Sequence, residues 1–330
     1  MKYTKNIAAV LASVCAFAPL SMHAFAADTE TSRHQEIRTM QKWLHGDTKA
    51  ITTDWKSFDR NGDGQLDARD LTLMKRSSGT EEVYSETSYG VFLGIEPEDL
   101  SRTLAYDTIV IDAQYFSAEQ IADLHKSGHK VYSYINIGSV EDFRSYYKQY
   151  ESLTFGDYEN WEGERWVDVS SDMWKDFILK KLAPDILKKG VDGLFVDNVD
   201  VYYIKPTDAI FGGVKDILQG LVKLNTYVCI NGGDSFVTEY LKRKGSFHDI
   251  AHGVNQETIF SKIEWEEERF STSSDEDRGY FQEYVETVAK NGGDVYLLEY
   301  TKDTELIKQI KKYCSEHHFR YYVSSTLELL

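Results

Sequence analysis

The run GVDGLFVDNVDVYY, Gly190 to Tyr203, places Asp197, Asn198 and Asp200 directly after an apolar stretch. A short apolar run of this kind reads as a buried strand, so its C-terminal end delivers two carboxylates and an amide to one spot. Carboxylates grouped in this way can serve as general acid, general base or nucleophile. The same residues could instead cap the following helix or shape a turn. The elements around them decide between the two.

From Ser88 to Leu330, short apolar runs alternate with charged, helix-like segments. The spacing predicts eight strands, at residues 89–95, 108–114, 130–138, 193–200, 227–233, 250–257, 294–300 and 319–325. Helices are expected in between, several of them ending at Gly. Such alternation means a parallel sheet, and eight repeats over a stretch close to the roughly 250 residues of a (β/α)8 TIM barrel favour closure over an open doubly wound sheet. No glycine-rich phosphate loop follows the first strand, which removes support for a dinucleotide fold. Six successive predicted strands end in carboxylates or amides: Asp112, Asn136, Asp197 with Asp200, Asn231, Asn255 with Glu257, and Glu299 followed by Tyr300. The C-terminal rim is where this fold builds active sites, and six polar ends converging there exceed what helix capping requires.

The chemistry narrows by elimination. There is no GxSxG motif, no Schiff-base lysine at a strand end and no transition-metal spacing, and His252 reads as a wall or core residue. Carboxylates, amides and aromatics remain, which is the equipment for breaking glycosidic bonds. Tyr115, Trp161, Trp166, Tyr202 and Tyr203 could stack on sugar faces or pack in the core. Two long loops, Ser139 to Asp168 and Ser261 to Arg278, reach the same rim; the acidic second loop reads as a solvated helix face, a mobile loop or a lid.

The N-terminal 87 residues carry other signals. Residues 1–26 combine Lys2 and Lys5, an apolar run from Ile7 to Leu20 and Ala24-Phe25-Ala26, the pattern of a secretory signal peptide whose apolar core is too short for a membrane span. The expected mature protein is therefore secreted and extracellular. Its 54 acidic residues would face 35 basic ones, the 37 of the whole chain less the two lysines of the leader. That balance disfavours nucleic acid and would attract a cationic ligand, although solubility alone accounts for it equally well. Of the two remaining cysteines, Cys229 lies in an apolar run, and no disulfide framework is present. In DRNGDGQLDARD, oxygen ligands fall at Asp59, Asn61, Asp63, Asp67 and Asp70, with Gln65 offering its carbonyl and Gly64 the turn, a spacing suited to Ca2+. With MQKWLHGD before the loop and DLTLMKR after it, residues 30–76 resemble half of a type I dockerin with a single complete loop. That resemblance implies a cohesin-bearing scaffold protein as partner and placement in a cellulosome-like complex; a calcium-stabilised appendage is the alternative. Residues 77–87 read as a linker.

The large domain, residues 88–330, carries SYINIGSVEDFR, NWEGERWVDVSS, KKGVDGLFVDNVDVYY, INGGDSF, GVNQETIF and LLEYTKD in order. Together these resemble glycoside hydrolase family 114, the endo-α-1,4-polygalactosaminidases, whose fold is a TIM barrel. The resemblance implies a secreted, endo-acting hydrolase of α-1,4-linked galactosamine-rich polysaccharide that needs no cofactor for catalysis. It implies Asp197 as nucleophile or base and Glu257 as general acid/base, with Asp112, Asn136, Asp200, Tyr202, Asn231, Glu299 and Tyr300 around the substrate. In a common form of the family motif the glutamate directly follows the Asn; here Gln256 intervenes. A one-residue shift turns a strand side chain to the other face, so the expectation is either a bulge that re-aims Glu257 or an altered site. Other functions to be weighed are a non-catalytic carbohydrate-binding or adhesion protein on the same barrel, and a glycosidase of different polysaccharide specificity.

Overall fold

A computed structural model describes residues 89–329 apart from 98, 160 and 268, together with scattered positions between 36 and 66. The chain divides into two compact units, Met1–Glu81 and Glu82–Leu330. In the first unit the described residues include helical positions between 36 and 43, a buried Met40 and a single 3-10 turn at Trp55–Ser57. Asp59 follows that turn; Asn61, Asp63, Gln65, Asp67 and Asp70 of the calcium loop, and the whole leader 1–26, lie outside the described residues. Among the described residues, no helix is long and apolar enough to cross a membrane.

The second unit is a TIM barrel. Its eight parallel strands are β1 (Tyr89–Phe92), β2 (Thr108–Ile111), β3 (Lys130–Asn136), β4 (Gly193–Asp197), β5 (Tyr227–Asn231), β6 (Gly253–Glu257), β7 (Asp294–Tyr300) and β8 (Arg320–Ser324). Each pairs with the next in chain order, and β8 packs beside β1. All eight fall inside the stretches expected from the sequence, most of them shorter at the C-terminal end because the polar rim residues leave the ladder. Helices at Ala118–Lys126, Asp208–Val222, Asp234–Lys242, Asp275–Lys290 and Thr304–His317, with a helical stretch from Asp172 to Leu187, cover the outside. Their starts are written locally: Ser117 and Gln120 form a reciprocal capping box, and Thr207, Ser274 and Asp303 cap their helices through side-chain oxygens. Asp275, Glu276 and Asp277 occupy a first helical turn, where negative charge is favoured; the solvated-face reading thus holds for this end of the acidic loop.

The outer layer of the core is mostly aliphatic, with Val, Ile and Leu of the strands in one cluster with Ile121, Ile217, Val288 and Ile310 and with the aromatic Trp174. Near the N-terminal ends of the strands the barrel is filled by tyrosines. Tyr132 stacks on Tyr227 at 4.8 Å, Tyr89 packs on Tyr296 at 4.6 Å, and Arg320 Nη1 donates to the Tyr296 hydroxyl at 2.8 Å. Their burial raises the phenol pKa values, so they stay neutral donors.

Two insertions stand on the C-terminal side. After β3, Ser139–Glu141, Thr154–Asp157 and Glu164–Val167 form a three-stranded antiparallel sheet. After β6, Ser261–Glu264 pairs with Arg269–Thr272 as a ribbon. Gly138 lets the first insertion start where it does: a Cβ there would lie 1.8 Å from the Asn198 carbonyl oxygen.

Candidate active site

Period-two alternation explains why Glu257 faces the barrel axis. β6 pairs with β7 in unbroken register through Asn255↔Tyr296, Gln256↔Leu297 and Glu257↔Leu298. Asn255 and Glu257 therefore share one face and Gln256 takes the other. The bulge anticipated from the sequence is not needed: the inserted Gln256 turns outward, and the glutamate two positions after Asn255 returns inward.

One amide joins the two carboxylates. Asn231 Nδ2, at the end of β5, donates to Asp197 Oδ1 at 2.9 Å and to Glu257 Oε1 at 2.8 Å. Those two oxygens are thus no more than about 5.7 Å apart, the sum of the two bonds. The amide is itself held: Asn255 Nδ2 donates to Asn231 Oδ1 at 2.7 Å, and the Tyr89 hydroxyl donates to Asn255 Oδ1 at 3.0 Å. Tyr300 closes the other side, its hydroxyl donating to Glu257 Oε2 at 2.7 Å. Protein surrounds both carboxyl groups although each keeps some solvent contact. Burial raises the pKa of Asp197 to about 7, with Asn231 pulling it down and Glu257, Glu164 and Asp200 pushing it up. Burial likewise raises Glu257, opposed by the bonds from Asn231 and Tyr300. The charge of Glu257 raises Asp197, so the two titrate as a coupled pair.

A third carboxylate comes from the first insertion. Glu164 Oε1 accepts from Asn136 Nδ2 at 3.0 Å, from Asn198 Nδ2 at 2.9 Å and from the Ser139 hydroxyl. Asn198 reaches it from a left-handed backbone conformation, φ 62°, a strained geometry for any residue but glycine and one that asparagine tolerates better than most. Asp200 stands on the far side, its carboxylate accepting from Gly233 N at 3.2 and 3.3 Å, and burial raises its pKa to about 7. A Cβ at Gly232, which has φ 65°, would lie 2.8 Å from Asp200 Oδ2; the INGG glycines admit that carboxylate. Beside it opens a cleft of about 540 Å³ lined by Phe155, Tyr158, Trp166, Asp200, Ile204 and Lys205 among others. Tyr158 stacks on Trp166 at 4.5 Å, and its phenol is raised by burial and by Asp197, Asp200, Glu164 and Glu257 together.

The other residues singled out in the sequence fall in different places. Asp112 is buried, Oδ2 accepting from Arg144 Nη1 at 2.7 Å and Oδ1 from Gln114 N at 3.1 Å, while Arg144 Nη2 donates to Glu141 Oε1 at 2.9 Å. Glu299 is fully buried and binds Phe260 N, Ser261 N and the Ser261 hydroxyl. These two carboxylates, expected to meet substrate, instead hold loops, because protein donors satisfy them below the surface of the rim. Asn136 is 2 % exposed and spends its amide on Ser139 and Glu164, so it positions rather than binds. Tyr202 is half-buried and packs edge-on against Phe211 and Phe236 at the edge of the core, and Trp166 is buried. Glu164, Ser139, Asn198, Asn255 and Tyr89 were not assigned roles from the sequence. Asn255 had a signal, two residues from Glu257; Glu164 had only its place in the tryptophan-rich block.

A barrel whose C-terminal rim opposes two enclosed carboxylates at this separation has the architecture of a carboxylate-pair glycoside hydrolase. The family model "Glycoside-hydrolase family GH114" matches residues 85–326, and the chain belongs to that family; its large domain is a glycoside hydrolase domain. Among solved structures, the glycoside hydrolase domain of PelA from Pseudomonas aeruginosa is similar, with 16% identity and a TM-score of 0.61 over 74% of this chain and 96% of that one. Aspergillus fumigatus Ega3, solved in complex with galactosamine, has 19% identity and a TM-score of 0.57 over 74% and 93%. At these identities the likeness shows the shared fold. An uncharacterized protein of Methanocaldococcus jannaschii is 23% identical over 63% of this chain and 64% of its own length, so the chain spans a little under two thirds of that relative.

Proposed function

We propose that the protein is a secreted, endo-acting hydrolase of α-1,4-linked, galactosamine-rich polysaccharide, working with retention of configuration. The observation that carries this reading is the single Asn231 amide bonded to both Asp197 and Glu257, which limits their nearest oxygens to about 5.7 Å. Retaining glycosidases hold their carboxyl groups roughly 5–5.5 Å apart, whereas inverting ones need about 6.5–9.5 Å to admit a water. In this scheme Asp197 attacks the anomeric carbon while Glu257 gives its proton to the departing glycosidic oxygen. Glu257 then takes a proton from water as that water releases the sugar from Asp197. Asn231 donates to both and lowers the pKa of each.

The galactosamine part of the reading draws on the family and on the ligand of Ega3. It is supported by charge: Asp197, Asp200, Glu164 and Glu257 all bear on Tyr158, and among the described residues their hydrogen-bond partners are amides, hydroxyls and backbone N–H groups rather than cations. An amino sugar's ammonium would supply the missing positive charge. The competing reading, a non-catalytic carbohydrate-binding or adhesion protein, had Gln256 as its support, and strand alternation accounts for Gln256 while keeping the pair. Secretion through the leader 1–26, a structural Ca2+ at Asp59, Asn61, Asp63, Gln65, Asp67 and Asp70, and docking to a cohesin-bearing scaffold are further parts of the proposal, resting on sequence. Calcium titration followed by candidate cohesins tests the last two.

The central test is incubation with partly deacetylated galactosaminogalactan, with chitosan as the contrast polymer, sizing the products by mass spectrometry. Internal cleavage of the first is expected, and proton NMR should find α-anomers formed first. Binding without cleavage sinks the enzymatic reading, cleavage of chitosan alone sinks the substrate class, and β-anomers first sink retention.

A further inference from the structure

The two rim insertions meet at their tips. Trp161 lies in the turn between Thr154–Asp157 and Glu164–Val167, and Trp265 in the turn between Ser261–Glu264 and Arg269–Thr272. Their ring centroids are 5.9 Å apart with an interplanar angle of 78°. Both are exposed, at 48% and 39%, whereas Trp166 and Trp174 are buried in the core. An edge-to-face pair covers at most one face of one ring, so indole surface remains open to solvent after the two have met.

Each insertion is also tied to one side of the reacting pair. Glu164 N donates to the Trp161 carbonyl at 3.3 Å, and the Glu164 side chain sits with Asn136 and Asn198 beside Asp197. On the other side, Phe270 of the ribbon packs 5.7 Å from Tyr300, whose hydroxyl holds Glu257. The tryptophan pair therefore links a hairpin anchored next to Asp197 to a ribbon anchored next to Glu257. Its exposed sequence neighbours Glu159, Glu162, Glu266 and Glu267 are acidic.

We propose that Trp161 and Trp265 form an aromatic subsite that stacks an amino-sugar ring of the polymer at a distance from the bond being broken. The inference rests on the polysaccharide-cleaving reading above and adds to it the residues that hold the chain outside the reacting unit. A galacto-configured pyranose, with its axial 4-hydroxyl, turns C3–H, C4–H and C5–H to one side as an apolar face that fits an indole. Its ammonium gains both from the ring quadrupole and from the flanking carboxylates. A chain too short to reach the pair gains nothing from it, so the subsite favours long substrates and internal cuts.

The test compares wild type, Trp161→Ala, Trp265→Ala and Trp161→Phe on α-1,4-galactosamine oligomers from trimer to decamer. Circular dichroism checks that the surface variants are folded. The alanine variants are expected to lose about tenfold in kcat/KM on the longest oligomers, the factor given by roughly one well-made aromatic contact. They should stay within about twofold of wild type on the shortest, and Trp161→Phe should recover most of the loss. In the inactive Asp197→Asn background, long oligomers should change the tryptophan fluorescence and the alanine variants should weaken that binding. A loss equal on short and long oligomers, or none, overturns the subsite while leaving the proposed function standing. A wild-type protein that neither binds nor cleaves any of the oligomers overturns both.

Discussion

Two groups of carboxylates share the C-terminal rim and have opposite fates. Asp112 and Glu141 straddle the Arg144 guanidinium, which sits against the rings of Tyr115, Tyr134 and Phe143. Asp197 and Glu257 share only the neutral amide of Asn231. Both groups are enclosed by protein, so burial alone does not distinguish them. The difference is the partner. At the first group the partner is a full cation, which pulls the burial-raised Asp112 back toward its ionised form and ties it to Glu141 through one guanidinium. Asp197 and Glu257 are raised by burial too, but the groups that pull them down are a neutral amide and a phenol, so no cation holds them back from exchanging a proton or attacking. Tyr134 borders both groups: its hydroxyl donates to Glu141 Oε1 at 3.3 Å, and its pKa is raised by burial and then by Asp197.

This contrast can be broken most severely at the amide-bridged pair. Asp197→Asn and Glu257→Gln should each lower kcat by at least about 10³-fold, read from initial rates on a long oligomer, while the melting temperature holds or rises because a buried like-charge repulsion is removed. On an activated aryl glycoside, azide should give a glycosyl azide of retained configuration with Glu257→Ala and of inverted configuration with Asp197→Ala; the opposite pattern would exchange the two assignments. Arg144→Met should do the reverse, costing about 3–5 kcal/mol of stability in denaturant melts by stranding two buried carboxylates, with activity falling only as far as the folded fraction does. A full loss of turnover in a stably folded Arg144→Met would show that the arginine side also touches substrate.

A smaller effect is expected at the bridge itself. Asn231 lowers the pKa of both carboxylates, so Asn231→Ala should move the acidic limb of the kcat/KM profile to higher pH and reduce kcat by about 10- to 100-fold. An unmoved limb would separate the amide from the titrating pair. The smallest effect concerns stability against pH. Asp197, Asp200 and Glu299 are raised by burial to about 7 from ordinary values near 4. The folded state therefore holds protons that the unfolded chain has already released, so stability falls as pH rises from about 4 to about 7 and is level above that. Glu299→Gln should flatten this slope in melts taken across the window; an unchanged slope would mean that Glu299 titrates alike in both states.

Much of this was legible in the chain. The eight apolar runs, six of them ending in carboxylates or amides, are a pattern that survives any detail of packing, because a parallel barrel needs each strand buried on both faces and leaves only its rim for polar groups. VDNVD and GVNQE announced the two carboxylates. The fate of each remaining rim residue was not legible, since Asp112, Glu299 and Asp197 look alike when read one strand at a time. Arg144 lies 32 residues from Asp112, Ser261 lies 38 from Glu299, and Glu164 reaches the centre from an inserted hairpin. Nothing in a local window marks those encounters.

The sequence by itself determined the strand count, the helix caps and the presence of a carboxylate at the ends of β4 and β6, because periodicity and capping are properties of neighbouring residues. The tertiary structure decided which carboxylates react. That depends on whether a cation, a backbone N–H or a shared amide arrives from another strand, and on Gln256 turning outward so that Glu257 can face Asp197 across Asn231.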